Sequence, residues 1–134
     1  MKKAYVASGL AAAAIALFAA SAFAGEKNHI TVELNTTTRT AYGSMGDARA
    51  SSDSAQYIGC SLSENGGVLT GLCEVEDSGQ HTASCYIPSA QLNAFAQVLA
   101  TQTTAAYFYF QWNASGQCTY VYSSSESVWT PMVP

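Results

Sequence analysis

Positive charge is the first scarcity in this chain: its 134 residues include 5 Lys and Arg together, and only 10% are charged at all. Two of those cations, Lys2 and Lys3, open the chain, which leaves Lys27, Arg39 and Arg49 against nine Asp and Glu. A nucleic-acid partner needs clustered Lys and Arg to neutralise phosphates, and three scattered cations exclude it. An anionic membrane surface is disfavoured for the same reason. Histidine, the usual general base, is nearly as rare, with only His29 and His81. The first starts a polar–apolar alternation and the second borders a turn, so each reads as a solvated residue. No Gly-x-Ser-x-Gly nucleophile turn, HExxH helix, phosphate-cradling loop or CxxC pair occurs. Catalytic residues, metal ligands and cofactor-binding residues are therefore expected to be none. Solubility must come from Ser, Thr, Asn and Gln.

What is present begins with a leader. Met1-Lys2-Lys3 precedes an apolar run from Ala4 to Phe23, followed by the small-x-small triplet Ala22-Phe23-Ala24. That is the layout of a secretory signal peptide of bacterial style, with cleavage expected after Ala24. The run is long enough to span a bilayer, but it is mostly alanine, which makes a poor membrane anchor. Residues 1–24 are thus read as a cleaved signal peptide and 25–134 as a single domain, periplasmic or secreted, with no membrane span after cleavage.

The stretch from Gln56 to Cys85 organises the remainder. Three alternating segments, Gln56–Ser63, Val68–Glu76 and His81–Pro88, are separated by Glu64-Asn65-Gly66-Gly67 and Asp77-Ser78-Gly79-Gln80. Asn-Gly-Gly and Ser-Gly supply the positive φ that tight hairpin turns need. Four cysteines in an exported chain of this size predict two disulfides. A three-residue loop at Ser78-Gly79-Gln80 sets Cys73 opposite Cys85, whereas a loop at Asn65-Gly66 sets Cys60 opposite Gly71. This register favours Cys73–Cys85 with Cys60–Cys118. Pairing Cys60 with Cys73 and Cys85 with Cys118 requires a shift of one residue or a bulge.

Around the meander, His29–Thr36 alternates as a half-buried strand, and Asn35–Thr40 extends it as an exposed β-branched edge. Leu92, Phe95, Val98 and Leu99 form an apolar stripe at helical spacing over Ala90–Ala100, with Ser89 as N-cap. Ala105–Trp112 and Gln117–Ser124 read as two further strands joined by Asn113-Ala114-Ser115-Gly116. The fold class is mainly β (α+β): about six antiparallel strands in a meander or small sandwich, with one helix packed on the sheet and two disulfides. The triplets Asn35-Thr36-Thr37 and Asn113-Ala114-Ser115 match the N-glycosylation pattern by chance in a chain with a bacterial leader.

Two places carry candidate contacts. If Phe108 and Phe110 face the core, Tyr107 and Tyr109 stand outward beside Tyr120 and Tyr122, an aromatic ladder suited to stacking on sugar rings or a peptide; Trp129 in the tail joins this set. The plainer account is cross-strand packing beneath the helix. The second place is the glycine-containing segment from Ala41 to Ala55. There Asp47 can cap a helical turn carrying Arg49 and Asp53 as i,i+4 partners, lining a polar pocket or simply packing a loop. Glu74, Glu76 and Asp77 read as a solvated acidic edge rather than a carboxylate pair straddling a substrate.

The string Gly46–Cys60, together with Phe108-Tyr109-Phe110-Gln111-Trp112 and Ser115-Gly116-Gln117-Cys118-Thr119, resembles small secreted disulfide-containing bacterial proteins without an assigned activity. That resemblance implies export and disulfide bonding and brings no catalytic residues. The expected function is a non-enzymatic exported binding protein, its partner a glycan or a protein. Two alternatives remain open: a small secreted enzyme or enzyme inhibitor using the Arg49/Asp53 loop, and a structural envelope or matrix component.

Overall fold

The computed structural model describes residues 28–126 and 128. The expected signal peptide and Trp129 lie outside the described residues. Seven strands form two antiparallel sheets. One sheet has the order β1-β2-β6-β7, with β1 Glu33–Asn35, β2 Thr40–Ser44, β6 Tyr107–Trp112 and β7 Cys118–Ser124. The other is the meander β3-β4-β5, comprising Tyr57–Asn65, Val68–Glu76 and Thr82–Tyr86. Helix α1 is Met45–Ala50; α2 is Leu92–Leu99, entered through a 3₁₀ turn at Ser89–Gln91. Among the described residues no helix is long and apolar enough to cross a membrane.

The inner faces of the two sheets share one core. Phe108, Phe110 and Ala41 come from the four-stranded sheet, Ile58, Val75 and Ile87 from the meander and the segment that leaves it. Leu92 and Phe95 reach this core from α2, with Leu99 packed beside them. Period-two alternation on the strands and period-3.6 spacing on the helix thus deliver the apolar residues to one interior.

Four local expectations are corrected. The segment from His29 begins pairing as a strand only at Glu33, because its backbone is claimed elsewhere. The Ile30 N–H donates to Asp47 Oδ2, the Ile30 carbonyl accepts from the Ser44 N–H, and the Val32 N–H donates to Gln56 Oε1. Residues 36–39 are a turn rather than an edge, with the Asn35 side chain accepting from the Thr37 and Thr38 N–H groups. Asn113 does the same for Ser115 and Gln117, so both Asn triplets are turns held by their own side chains. The segment after Ala41 is no loop at its start: it supplies β2, an inner strand, where a Cβ on Gly43 would lie 2.9 Å from the Val32 Cα. Ser89 is the first residue of its 3₁₀ turn and caps nothing.

The disulfides are Cys60–Cys73 and Cys85–Cys118, not the favoured Cys73–Cys85 and Cys60–Cys118. The expected register of Cys73 opposite Cys85 is present. What differs is the first hairpin, whose two-residue loop is Gly66-Gly67 (φ 61° and 84°), so Asn65 pairs with Val68 and Cys60 faces Cys73. Hydrogen-bond phase then decides between the two neighbours of Cys73. The Ile87 N–H donates to the Gly71 carbonyl at 2.8 Å, so Gly71, and by alternation Cys73, turns its backbone groups toward β5. Cys73 and Cys85 are therefore a hydrogen-bonded pair, and Cys60 and Cys73 a non-hydrogen-bonded one, in which side chains stand closer. Cys85 is left for Cys118, which reaches it because the Tyr86 N–H bonds the Gly116 carbonyl at 3.0 Å and ties the meander to the β6–β7 turn.

Candidate functional site

Five of the chain's eight tyrosines share the outer face of the four-stranded sheet. Residues directly opposite in an antiparallel ladder project to the same side. Tyr42 faces Tyr109, Tyr109 faces Tyr122, Ser44 faces Tyr107 and Gln111 faces Tyr120. Phe108 and Phe110, fully buried, take the opposite side. The expected outward set of Tyr107, Tyr109, Tyr120 and Tyr122 is thus brought together. Tyr42, passed over as part of a loop, completes it. Its signal was there to read: Thr40-Ala41-Tyr42-Gly43-Ser44 places polar or aromatic residues at every second position.

A bulge makes the set possible. Between Gln111 and Trp112 the register slips, so Trp112 faces Cys118 while Gln111 faces Tyr120. Were Thr119 paired in the ladder instead of bulged, strict alternation would put Cys118 on the same face as Tyr120. With it, Cys118 is completely buried and Tyr120 is 49% exposed.

The rings touch in two groups. Tyr42 and Tyr109 stack with centroids 6.4 Å apart and planes 20° from parallel. Tyr109 meets Tyr120 edge-on at 5.8 Å, and Tyr107 meets Tyr122 edge-on at 6.2 Å. These are the separations at which aromatic pairs attract. Gln111 Nε2 donates to the Tyr109 hydroxyl and fixes it. Burial, and then its neighbours Tyr42, Tyr109 and Tyr122, push the Tyr107 hydroxyl pKa above the ordinary tyrosine value. Tyr120 and Tyr122 are the exposed members; the other three are half-buried. The ladder positions around them are Glu33, which faces Tyr42 from the edge strand β1, and Thr40, Ser44, Gln111 and Ser124; Glu33 is the one charged residue among these.

The Arg49/Asp53 loop is a different matter. Ser44, not Asp47, is the N-cap of α1, its Oγ accepting from the Asp47 N–H at 3.3 Å. Asp47 sits at the third helical position and holds the incoming chain through Ile30 and through His29 Nδ1 at 3.0 Å. The helix ends at Ala50, so Arg49 and Asp53 are not on one helix and form no ion pair among the described residues. Asp53 instead accepts from the Ala55 N–H at 2.9 Å, the Gln56 N–H at 3.1 Å, Gln56 Nε2 and Ser51 Oγ. Those donors, the Ala55 N–H foremost, lower its pKa to about 2. Arg49 is exposed at the rim of a cavity of about 260 Å³ lined also by Met45, Ala48, Gln56, Tyr57 and Ile58. That lining is mainly apolar and holds no second ionisable group except the Tyr57 hydroxyl.

Glu74 and Glu76 are on β4, the middle strand of the meander, so they form no acidic edge. They share the outer face with Tyr57, whose pKa is raised by burial and then by these two carboxylates. Asp77 closes the β4–β5 turn, accepting from the Gly79 N–H at 2.8 Å and the His81 N–H at 3.0 Å, with His81 Nδ1 at 3.1 Å. Burial pushes its carboxyl up, but the His81 N–H, the His81 ring and the Gly79 N–H together outweigh it and leave the pKa lowered. Both histidines are thus tied to structural aspartates rather than to a nucleophile.

Cys73, Cys85 and Cys118 bring their sulfur atoms within 4.8 Å of one another. All are in disulfides, and a disulfide offers no thiolate to a metal. No protein-family model, curated protein or solved structure matches the chain.

Proposed function

We propose that this is a non-enzymatic, exported binding protein that holds a neutral glycan chain against the tyrosine face of its four-stranded sheet. The observation that carries the reading is the set Tyr42, Tyr107, Tyr109, Tyr120 and Tyr122 on one outer face, in two groups of touching rings, with Glu33 the one charged residue on the adjoining ladder positions. Tyrosine offers an apolar ring face with a hydrogen-bonding hydroxyl at its rim, and a sugar presents C–H faces with hydroxyls at their rims. Cross-strand contacts hold the rings in place, so little side-chain entropy is lost when a ligand lies on them. Glu33 beside Tyr42 disfavours an acidic chain, and a single carboxylate at the edge of the face is too little to select a basic one, which leaves a neutral chain. Export is supported by the leader-like N-terminus and by two disulfides, which persist in oxidising compartments.

The test is a glycan array followed by titration of retained neutral polysaccharides, comparing the wild type with Tyr120→Ala and Tyr122→Ala. These two rings are exposed, so their removal leaves the core intact. Each substitution is expected to weaken binding about tenfold, the loss of one aromatic contact of about 1.4 kcal/mol. Binding to no neutral glycan, or binding indifferent to both substitutions, overturns the reading. A purified protein partner lost with the same substitutions, in the absence of glycan binding, assigns the face to protein recognition instead.

A further inference from the structure

Three cysteines, Cys60, Cys73 and Cys85, stand in a row across β3, β4 and β5, each directly opposite the next. Cys73 therefore has two ladder neighbours and is bonded to one of them. Its sulfur also lies with those of Cys85 and Cys118 inside a 4.8 Å cluster. The four sulfurs differ in access. Cys73, Cys85 and Cys118 are 0%, 1% and 0% exposed, whereas Cys60 is only half-buried. Cys60 lies on β3, an outer strand of the meander, and lines a surface hollow of about 200 Å³ with Tyr57, Ile58, Gly59, Ser61 and Glu74.

We propose that Cys60 is a thiol-exchange site, and that attack there by a small external thiol is relayed through Cys73 into the Cys85–Cys118 bond. In the first step the external thiolate attacks Cys60 Sγ, the accessible end, forming a mixed disulfide and expelling Cys73 as thiolate. In the second, the Cys73 thiolate attacks Cys85 Sγ, forming Cys73–Cys85 and expelling Cys118 as thiolate, which takes a proton from water. Each step makes one S–S bond and breaks one, so no oxidant or reductant is consumed. The second step needs no rearrangement of the ladder. Cys73 and Cys85 already face each other, and the roughly 5.5 Å Cα spacing of a hydrogen-bonded pair lies inside the range a disulfide spans. Cys60 takes Cys73 while it is available because the non-hydrogen-bonded pair is closer; once Cys60 is capped, Cys85 is the facing partner. The outcome is mechanical. The bond that joins the meander to the four-stranded sheet is replaced by one inside the meander, and the sheets lose their covalent link, leaving packing and hydrogen bonds such as that of the Tyr86 N–H to the Gly116 carbonyl.

The experiment treats the oxidised full chain with 2-mercaptoethanol, quenches with acid, alkylates free thiols and maps the peptides by mass spectrometry. The expected product carries the 2-mercaptoethanol adduct on Cys60, an intact Cys73–Cys85 bond and alkylation at Cys118. Alkylation at Cys73 with Cys85–Cys118 intact overturns the relay. An adduct first found on Cys85 or Cys118 overturns the assignment of Cys60. The variant Cys60→Ser isolates the second step without relying on reagent access. Its single free thiol is expected at Cys118, and a free thiol confined to Cys73 refutes the exchange.

Discussion

Asp53 is a small instance of how a charged residue in this chain is spent on structure. Its carboxylate receives two backbone N–H groups and two side-chain donors within three residues on either side, holding the loop between α1 and β3. The folded pKa, lowered to about 2, is below the ordinary carboxylate value near 4. A lowered folded pKa stabilises the folded loop fully above the ordinary value, and that contribution is lost as pH falls through about 2. The Ala55 and Gln56 amide proton shifts are accordingly expected to titrate with a midpoint near pH 2 when followed by NMR. A midpoint near 4 would show that the carboxylate does not receive these donors in solution. Such a commitment removes Asp53 from the groups free to meet a ligand.

At the scale of the element, the decisive feature is the bulge at Thr119 in β7. One additional residue gives the same short strand a buried cysteine and, two positions later, an exposed tyrosine. Pairing Thr119 in the ladder would turn Cys118 to the side of the tyrosines, whereas deleting it leaves Cys118 next to Tyr120 and still facing inward opposite Trp112. The deletion variant is expected to keep both disulfides, as read by disulfide mapping after non-reducing digestion. Loss of the Cys85–Cys118 bond would mean that the bulge itself is needed to bring Cys118 to Cys85. The hairpin β3–β4 shows the same sensitivity. Placing its turn on Gly66-Gly67 rather than Asn65-Gly66 is what sets Cys60 against Cys73.

For the whole molecule, the two disulfides differ in reach. Cys60–Cys73 closes 13 residues within one hairpin, and Cys85–Cys118 closes 33 residues between the two sheets. On the chain-entropy account these contribute about 3 and about 4 kcal/mol. The double variant Cys85→Ala/Cys118→Ala is expected to lose about 1 kcal/mol more than Cys60→Ala/Cys73→Ala in urea denaturation. A larger loss from the hairpin pair would show that native-state packing, not chain constraint, sets their worth. A core this small, assembled from two sheets and a helix of eight residues, depends on such covalent help.

Much of this architecture was legible in the residues. Val68–Glu76 appears as one strand with the bounds its alternation implies, and the Leu92, Phe95 and Leu99 stripe packs on the core as helical spacing requires. Phe108 and Phe110 turn inward and Tyr107 and Tyr109 outward, because alternate side chains on a pleated strand cannot do otherwise. Those are local consequences of polarity repeated at a fixed period, and a linear sequence carries them in full. The sulfur pairing, the inner strand containing Tyr42 and the burial of Cys118 were decided only in three dimensions. Each depends on the phase of a hydrogen-bond ladder or the position of one bulged residue, and a shift of a single position, nearly invisible to composition, exchanges every partner across the strand.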